Sequence, residues 1–197
     1  MPSAPRLRRA HDSSSAFDAL LLAARDGAPW AWQHLNEWLA PAVAGYLRAQ
    51  GAAEVEDLTS ETFLGVVRGI ARFDGDEAQF RSWVFVIAHR RVQDERRRRA
   101  ARGTPSPFDE AATPSEPVAV EGTEADALRK LATERVRYLC AQLVPDQRDV
   151  ILLRLVADLT VDQVAQVLGK TPGAVKALQR RGFEALRRVI ERQGVPL

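Results

Sequence analysis

Gln179 and Arg180 lie three and four residues after Lys176, so a helix through them carries all three donors on one wet face. Ammonium, amide and guanidinium donors in that arrangement bind phosphates and the edges of base pairs. The surrounding segment, TVDQVAQVLGKTPGAVKALQRR at 160–181, predicts two helices joined by a tight turn. Thr160 and Gln163 form a T-x-x-Q capping box for the first helix. Gly169 stands where that helix must stop and the chain can turn left-handed. Thr171 caps the second helix, and Pro172 is its first residue, where a missing N–H costs nothing. Val164, Ala165, Leu168, Val175 and Leu178 form the inward face. This is the spacing of a helix-turn-helix whose second helix suits a DNA major groove. Thr171 and Gly173 at its start and Arg181 beside Arg180 complete the candidate contact set.

A second basic set lies in FRSWVFVIAHRRVQDERRRR at 80–99. Phe80, Trp83, Val84, Ile87 and Val92 can pack inward. Arg81, Phe85, His89, Arg90, Arg91 and the run Arg96 to Arg99, Arg97 included, then form a basic, partly aromatic outer surface. Arginines neutralise phosphates, and aromatic rings can stack on bases that have left the duplex.

Residues with the pattern of a catalytic centre are not found. His11, His34 and His89 are far apart and lack cysteine or carboxylate partners at metal spacing, so no metal and no cofactor are expected. Neither a glycine-rich phosphate loop nor a G-x-S-x-G turn occurs. Asp74, Asp76 and Glu77 could seed a metal-dependent nuclease, but no further ligand follows at a suitable distance. Cys140 lies among Val136, Leu139 and Leu143 and reads as a small core filler.

The elements that must position these groups are helical. The chain has 197 residues, 46% hydrophobic and 27% charged, as in ordinary globular proteins. Its net charge of +2 hides strong segregation. Residues 51–77 carry a net −5, residues 78–102 a net +6, residues 103–126 a net −6 and residues 170–192 a net +5. Two separate basic segments suggest two contacts with a polyanion. Helices are expected from a Ser15 cap through Ala24, from Trp30 to Gln50, Val55 to Ala71 and Phe80 to Arg102. Four more are expected over Asp126 to Leu143, Asp146 to Asp158, Thr160 to Leu168 and Thr171 to Arg192. Residues 1–15 read as a disordered basic tail, and 103–125, rich in Pro, Gly, Ser, Thr and acid, as a flexible linker. The fold expected is therefore all-α, with two small helical domains at 16–102 and 126–197 joined by an acidic tether. AFDALLLAA near the start is too short to span a bilayer, and no membrane insertion is expected. A single cysteine fits a reducing cytoplasm.

Three blocks in order resemble the bacterial RNA polymerase sigma factors of the small extracytoplasmic-function (ECF) group. EDLTSETFLGVVRGIARF at 56–73 is similar to the family segment that binds the polymerase clamp coiled coil. The block at 80–98 is similar to the segment that melts and reads the minus-ten element, and residues 143–188 to the domain that reads the minus-thirty-five element. The family often has Gln where Ser60 stands and Trp where Val67 stands. Its recognition helix commonly reads V-K-S-R-L, whereas Val175 and Lys176 are followed here by Ala177, Leu178 and Gln179.

The resemblance implies that Asp57, Leu58, Glu61, Phe63 and Leu64 dock on core polymerase. It also implies that Arg81, Trp83, Phe85, His89, Arg90, Arg91, Arg96 and Arg97 meet the minus-ten element, with the loop Phe73 to Gln79 in a base pocket. Thr171, Gly173, Lys176, Gln179, Arg180 and Arg181 would meet the minus-thirty-five element. The linker would thread toward the polymerase active site, an anti-sigma factor would regulate the chain, and no further domain is expected after Leu197. The alternative is a stand-alone helix-turn-helix regulator that binds operator DNA without polymerase and makes no use of residues 16–102.

Overall fold

The structure, a computed structural model, describes residues 6–103, 108 and 135–192, with side chains from Ala16 onward. The expected linker (apart from Gly103 and Phe108) and the start of the helix expected from Asp126 lie outside the described residues. Among the described residues every regular element is helical. The first half contains α1 (Arg6–Arg25), α2 (Pro29–Ala49), α3 (Val55–Gly69) with a 3-10 turn (Ile70–Arg72), and α4 (Glu77–Ala101). A helical stretch over 135–141 leads into α5 (Pro145–Leu155), α6 (Val161–Leu168) and α7 (Pro172–Arg192).

Two helix starts differ from the sequence reading. The α1 backbone begins at Arg6, so residues 6–15 are helical where a basic tail was expected, and Ser15 lies inside the helix instead of capping it. After Pro5 that stretch contains no Gly or Pro, and its arginines, leucine and alanine are good helix formers. Helix α4 starts three residues before the expected Phe80. The Asp76 carboxylate accepts from the Gln79 amide at 2.8 Å, and the Gln79 side chain accepts from the Asp76 amide at 2.8 Å. This capping box draws Glu77, Ala78 and Gln79, the last three residues of the expected loop, into the helix.

The α2 stripe packs as its period requires, with Leu35, Leu39, Val43 and Tyr46 fully buried and Trp32 half-buried. Around it Phe17, Trp38, Phe73, Phe80 and Trp83 form one aromatic cluster. Phe17 meets Phe80 edge-on with centroids 5.6 Å apart, and Phe73 stacks on Trp83 at 5.1 Å. Arg25 reaches from α1 to the carbonyls of Ile70 and Phe73, fastening the α3–α4 connection.

In the second half α5 and α7 approach closely because Gly182 lacks a side chain, and a Cβ there would lie 3.0 Å from Ile151 Cγ1. Arg148 is buried, and its guanidinium donates to the carbonyls of Cys140 (2.7 Å) and Leu143 (2.9 Å) while lying 3.4 Å from the Phe108 ring centre. Burial brings the Arg148 pKa down to about 10, with the neighbouring Arg96 charge adding to the effect, so it stays cationic at neutral pH. Cys140 is buried and unpaired by disulfide, and burial pushes its thiol up to about 11. A core role rather than a nucleophile's follows. The two halves pack against each other, α6 on α4 and α5 on α2.

Candidate nucleic-acid interface

The helix-turn-helix has the local chemistry that its sequence announced. The Thr160 hydroxyl accepts from the Gln163 amide at 3.3 Å, and the Gln163 side chain accepts from the Thr160 amide at 2.8 Å. Gly169 ends α6 at φ 62°, a left-handed conformation that a side chain would strain. The Thr171 hydroxyl accepts from the Ala174 amide at 3.2 Å, capping α7. Val164, Ala165 and Val175 are buried between the helices, with Leu168 and Leu178 half-buried at the margin. Thr171, Gly173, Lys176, Arg180 and Arg181 are exposed and Gln179 is half-exposed, so the six candidates share the open side of α7. Arg180 pairs with Glu184 at 3.7 Å, an exposed contact of little energetic weight that leaves the guanidinium available.

The second basic set is divided. Arg90 and Arg97 are exposed, with Arg97 paired to Asp94. Arg91 lies 3.7 Å from Glu61 of α3. Trp83 is half-buried in the aromatic cluster. Phe85 corrects the sequence reading: it is fully buried and meets Tyr46 edge-on at 5.6 Å. The reason is tertiary. Helix α4 is covered by α2 and α3 on one side and by the C-terminal half on another, so its apolar arc is wider than a two-layer reading allows. Arg81, Phe85, His89 and Arg96 follow one stripe of α4, and that stripe faces the interior of the molecule. Arg81 Nε donates to the Ala157 carbonyl at 2.6 Å.

On α3 the exposed stripe runs through Asp57, Ser60, Leu64 and Val67, with Glu61 and Phe63 half-exposed beside it. Leu64 and Val67 are about half exposed and lie one turn apart, a small apolar patch on this face. Leu58, expected on this surface, points into the core instead. It continues the buried line of Val55, Thr62 and Val66, about 100° round the helix from Asp57. Val67 belongs to the stripe on geometry. Its i+3 relation to Leu64 was a signal available in the sequence.

A buried polar cluster that no sequence pattern announced joins the halves. Gln50, 1% exposed, donates from Nε2 to Asp149 Oδ1 at 2.7 Å and to the Tyr46 hydroxyl at 3.0 Å. Its Oε1 accepts from Arg96 at 2.5 Å, and Arg96 lies 3.6 Å from Asp149. The Tyr46 hydroxyl, already accepting from Gln50, also hydrogen-bonds His89 Nδ1 at 2.8 Å. Burial holds His89 below its ordinary pKa, with Asp149 opposing and Arg96 reinforcing that effect. Burial likewise drives the Tyr46 hydroxyl well above its ordinary value, and Asp149 adds to this.

Comparison with known proteins places these surfaces in a family context. Residues 36–102 match sigma-70 region 2, and residues 140–188 match sigma-70 region 4. The chain is 31% identical over 189 residues to the ECF RNA polymerase sigma factor ShbA of Streptomyces griseus, covering 91% of this chain and 98% of ShbA. It is 32% identical over 189 residues to the ECF RNA polymerase sigma factor BldN of Streptomyces coelicolor, covering 93% of this chain and 69% of BldN. Among solved structures its fold is similar to that of CnrH in complex with the cytosolic domain of CnrY. That match has a TM-score of 0.65 at 24% identity and covers 89% of this chain and 97% of CnrH. The sigma factor RpoE of Bartonella quintana, crystallised with the anti-sigma factor NepR, shares the fold with a TM-score of 0.61 at 18% identity over 81% of this chain and 96% of RpoE.

Proposed function

Because the chain belongs to the ECF group of RNA polymerase sigma factors, we propose a specific division of labour among its surfaces. The exposed α3 stripe of Asp57, Glu61, Leu64 and Val67, with Phe63 beside it, docks on the clamp coiled coil of core polymerase. The α4 face meets the minus-ten element through Arg81, Trp83, His89, Arg90, Arg91, Arg96 and Arg97. The open side of α7 meets the minus-thirty-five element through Thr171, Gly173, Lys176, Gln179, Arg180 and Arg181. Leu58 and Phe85, being buried, support these faces and do not touch the partners.

The observation that carries this reading over a stand-alone operator-binding regulator is the α3 stripe. Acid beside half-exposed leucine and valine repels DNA and suits a protein partner. A regulator needing only α6 and α7 would have no use for it. The domains would run over 16–102 and 126–197, with 103–125 as the tether between them. The chain would act in the cytoplasm and perform no catalysis of its own. None of the described helices is long and apolar enough to cross a membrane. An anti-sigma factor, as in the solved complex of RpoE with NepR, would cover these surfaces until a signal arrives.

Run-off transcription with purified core polymerase on a promoter library tests the proposal. Start-site-specific RNA that depends on the chain supports it. Tight operator binding without polymerase, and no effect on transcription starts, would support the regulator instead.

A further inference from the structure

We propose that Arg25 of α1 is a positioning residue for minus-ten recognition, holding the loop 73–79 in the shape that receives a base. This role rests on the reading that sets that loop against an unpaired minus-ten base. Helix α1 ends before residue 36, where the match to region 2 begins, and its role follows from its contacts alone.

Phe73 opens the loop, and α1 acts on both its backbone and its ring. The Arg25 guanidinium donates to two carbonyls, from Nε to Ile70 at 3.3 Å and from Nη2 to Phe73. Carbonyls in the last turn of a helix lack a full set of partners, so a rigid fork reaching two of them fixes where the chain leaves. The Phe73 ring meets Phe80 edge-on at 5.2 Å and stacks on Trp83 at 5.1 Å. Phe17 of α1 backs the same Phe80 ring at 5.6 Å. At the far end the Asp76–Gln79 capping box closes the loop. Between these ends Gly75 leaves no spare room: a Cβ there would stand 2.6 Å from Gln79 Oε1 and 3.1 Å from Phe73 Cζ. Entry and exit are thus fastened, while Asp74, Glu77 and Ala78 remain exposed to a ligand. A loop already in the receiving shape loses no affinity to ordering when a base arrives. Arg25 itself is exposed, so its removal frees the Phe73 backbone and leaves the core intact.

The test compares Arg25→Ala, Arg25→Lys and Gly75→Val in the full chain assembled with core polymerase. Each is titrated with a single-stranded minus-ten oligonucleotide and its single-base variants. Arg25→Ala should bind the preferred oligonucleotide about tenfold more weakly, as if the loop kept its shape about a tenth of the time. It should also discriminate less between bases. Its affinity for core polymerase and its helical circular dichroism should match the parent's, which a general loss of fold would not allow. Arg25→Lys keeps the charge but offers one nitrogen where two serve, so it should recover only part of the affinity. Gly75→Val deforms the loop from inside and should lose base discrimination as well. Parental binding by Arg25→Ala, with Gly75→Val impaired, overturns the positioning role and leaves the loop reading standing. Full recovery by Arg25→Lys would mark a direct phosphate contact and likewise overturn it. So would a salt dependence of Arg25→Ala shallower by about 0.7 in logarithmic slope, the value for one phosphate of a single strand. Parental binding by both Arg25→Ala and Gly75→Val removes the loop from promoter recognition, and the role of Arg25 with it.

Discussion

A Cβ built on Gly69 would stand 2.6 Å from Cζ2 of Trp83, inside any permitted contact. One turn earlier on α3, a Cβ on Gly65 would stand 2.9 Å from Ile87 Cγ2. Helices α3 and α4 thus meet through two glycines four residues apart, and this approach sets the indole that stacks on Phe73. Alanine is the better helix former by about 1 kcal/mol, yet the clash should prevail. Gly69→Ala is expected to destabilise by about 1 to 3 kcal/mol and to shift the tryptophan emission. Urea unfolding measures it, and a gain in stability would refute the close-approach account.

The α3 stripe predicts a separation of stability from binding. Asp57→Arg and Leu64→Glu replace exposed side chains, so the unfolding free energy should change by about 0.5 kcal/mol or less. Both should lose core polymerase in a pull-down or a fluorescence anisotropy titration. Leu58→Glu should behave oppositely, failing to fold, because it places a charge in the core. If Asp57→Arg binds polymerase as the parent does, α3 is not the docking surface.

Arg180→Ala should weaken binding of a holoenzyme to a minus-thirty-five element by about 1 to 3 kcal/mol and relax its sequence preference, if the guanidinium reads a base. A contact to phosphate alone would give an equal loss on every sequence. Footprinting across single-base variants of one promoter distinguishes the two.

His89 makes stability depend on pH with a definite sign. Its folded pKa is lowered, chiefly by burial, so on acidification the unfolded chain takes up a proton before the folded one does. Stability is unaffected above the unfolded value of about 6.5 and falls as pH drops from there toward the folded value. His89→Asn keeps a hydrogen-bonding side chain beside the Tyr46 hydroxyl and cannot titrate. Its melting temperature should therefore fall less between about pH 7.5 and about pH 5.5 than that of the parent. Equal slopes would show that the imidazole does not govern this range.

Thr160→Ala removes the hydroxyl that accepts from the Gln163 amide and should cost about 1 kcal/mol. The loss should appear as earlier thermal unfolding of the region 4 half. An unchanged melting temperature would mean that water replaces the cap.

Local chemistry made the helix-turn-helix legible before any coordinates. Thr160 with Gln163, Gly169 and Thr171 with Pro172 act within four residues of themselves, so their roles follow from backbone geometry alone. The open side of α7 followed in turn, since helical period separates Lys176 and Arg180 from Val175. The same reasoning misjudged Asp76, whose cap needed only Gln79 three residues on and was readable. It also placed Leu58 with Asp57, although the i, i+3, i+7 line from Val55 through Leu58 to Thr62 assigns Leu58 to the core.

Other features could not be read locally. Phe85 sits at a period compatible with either face of α4, and its burial depends on how many neighbours cover that helix. Gln50 and Asp149 are separated by 99 positions, and neither carries a local pattern that names the other. Their pairing exists because packing of α5 on α2 and α6 on α4 brings two distant polar side chains into one dry space. Helix caps, periodicity and charge segregation are short-range and are written in neighbouring residues. Which charged face stays wet is decided by long-range packing, since burial is a property of the assembled surface.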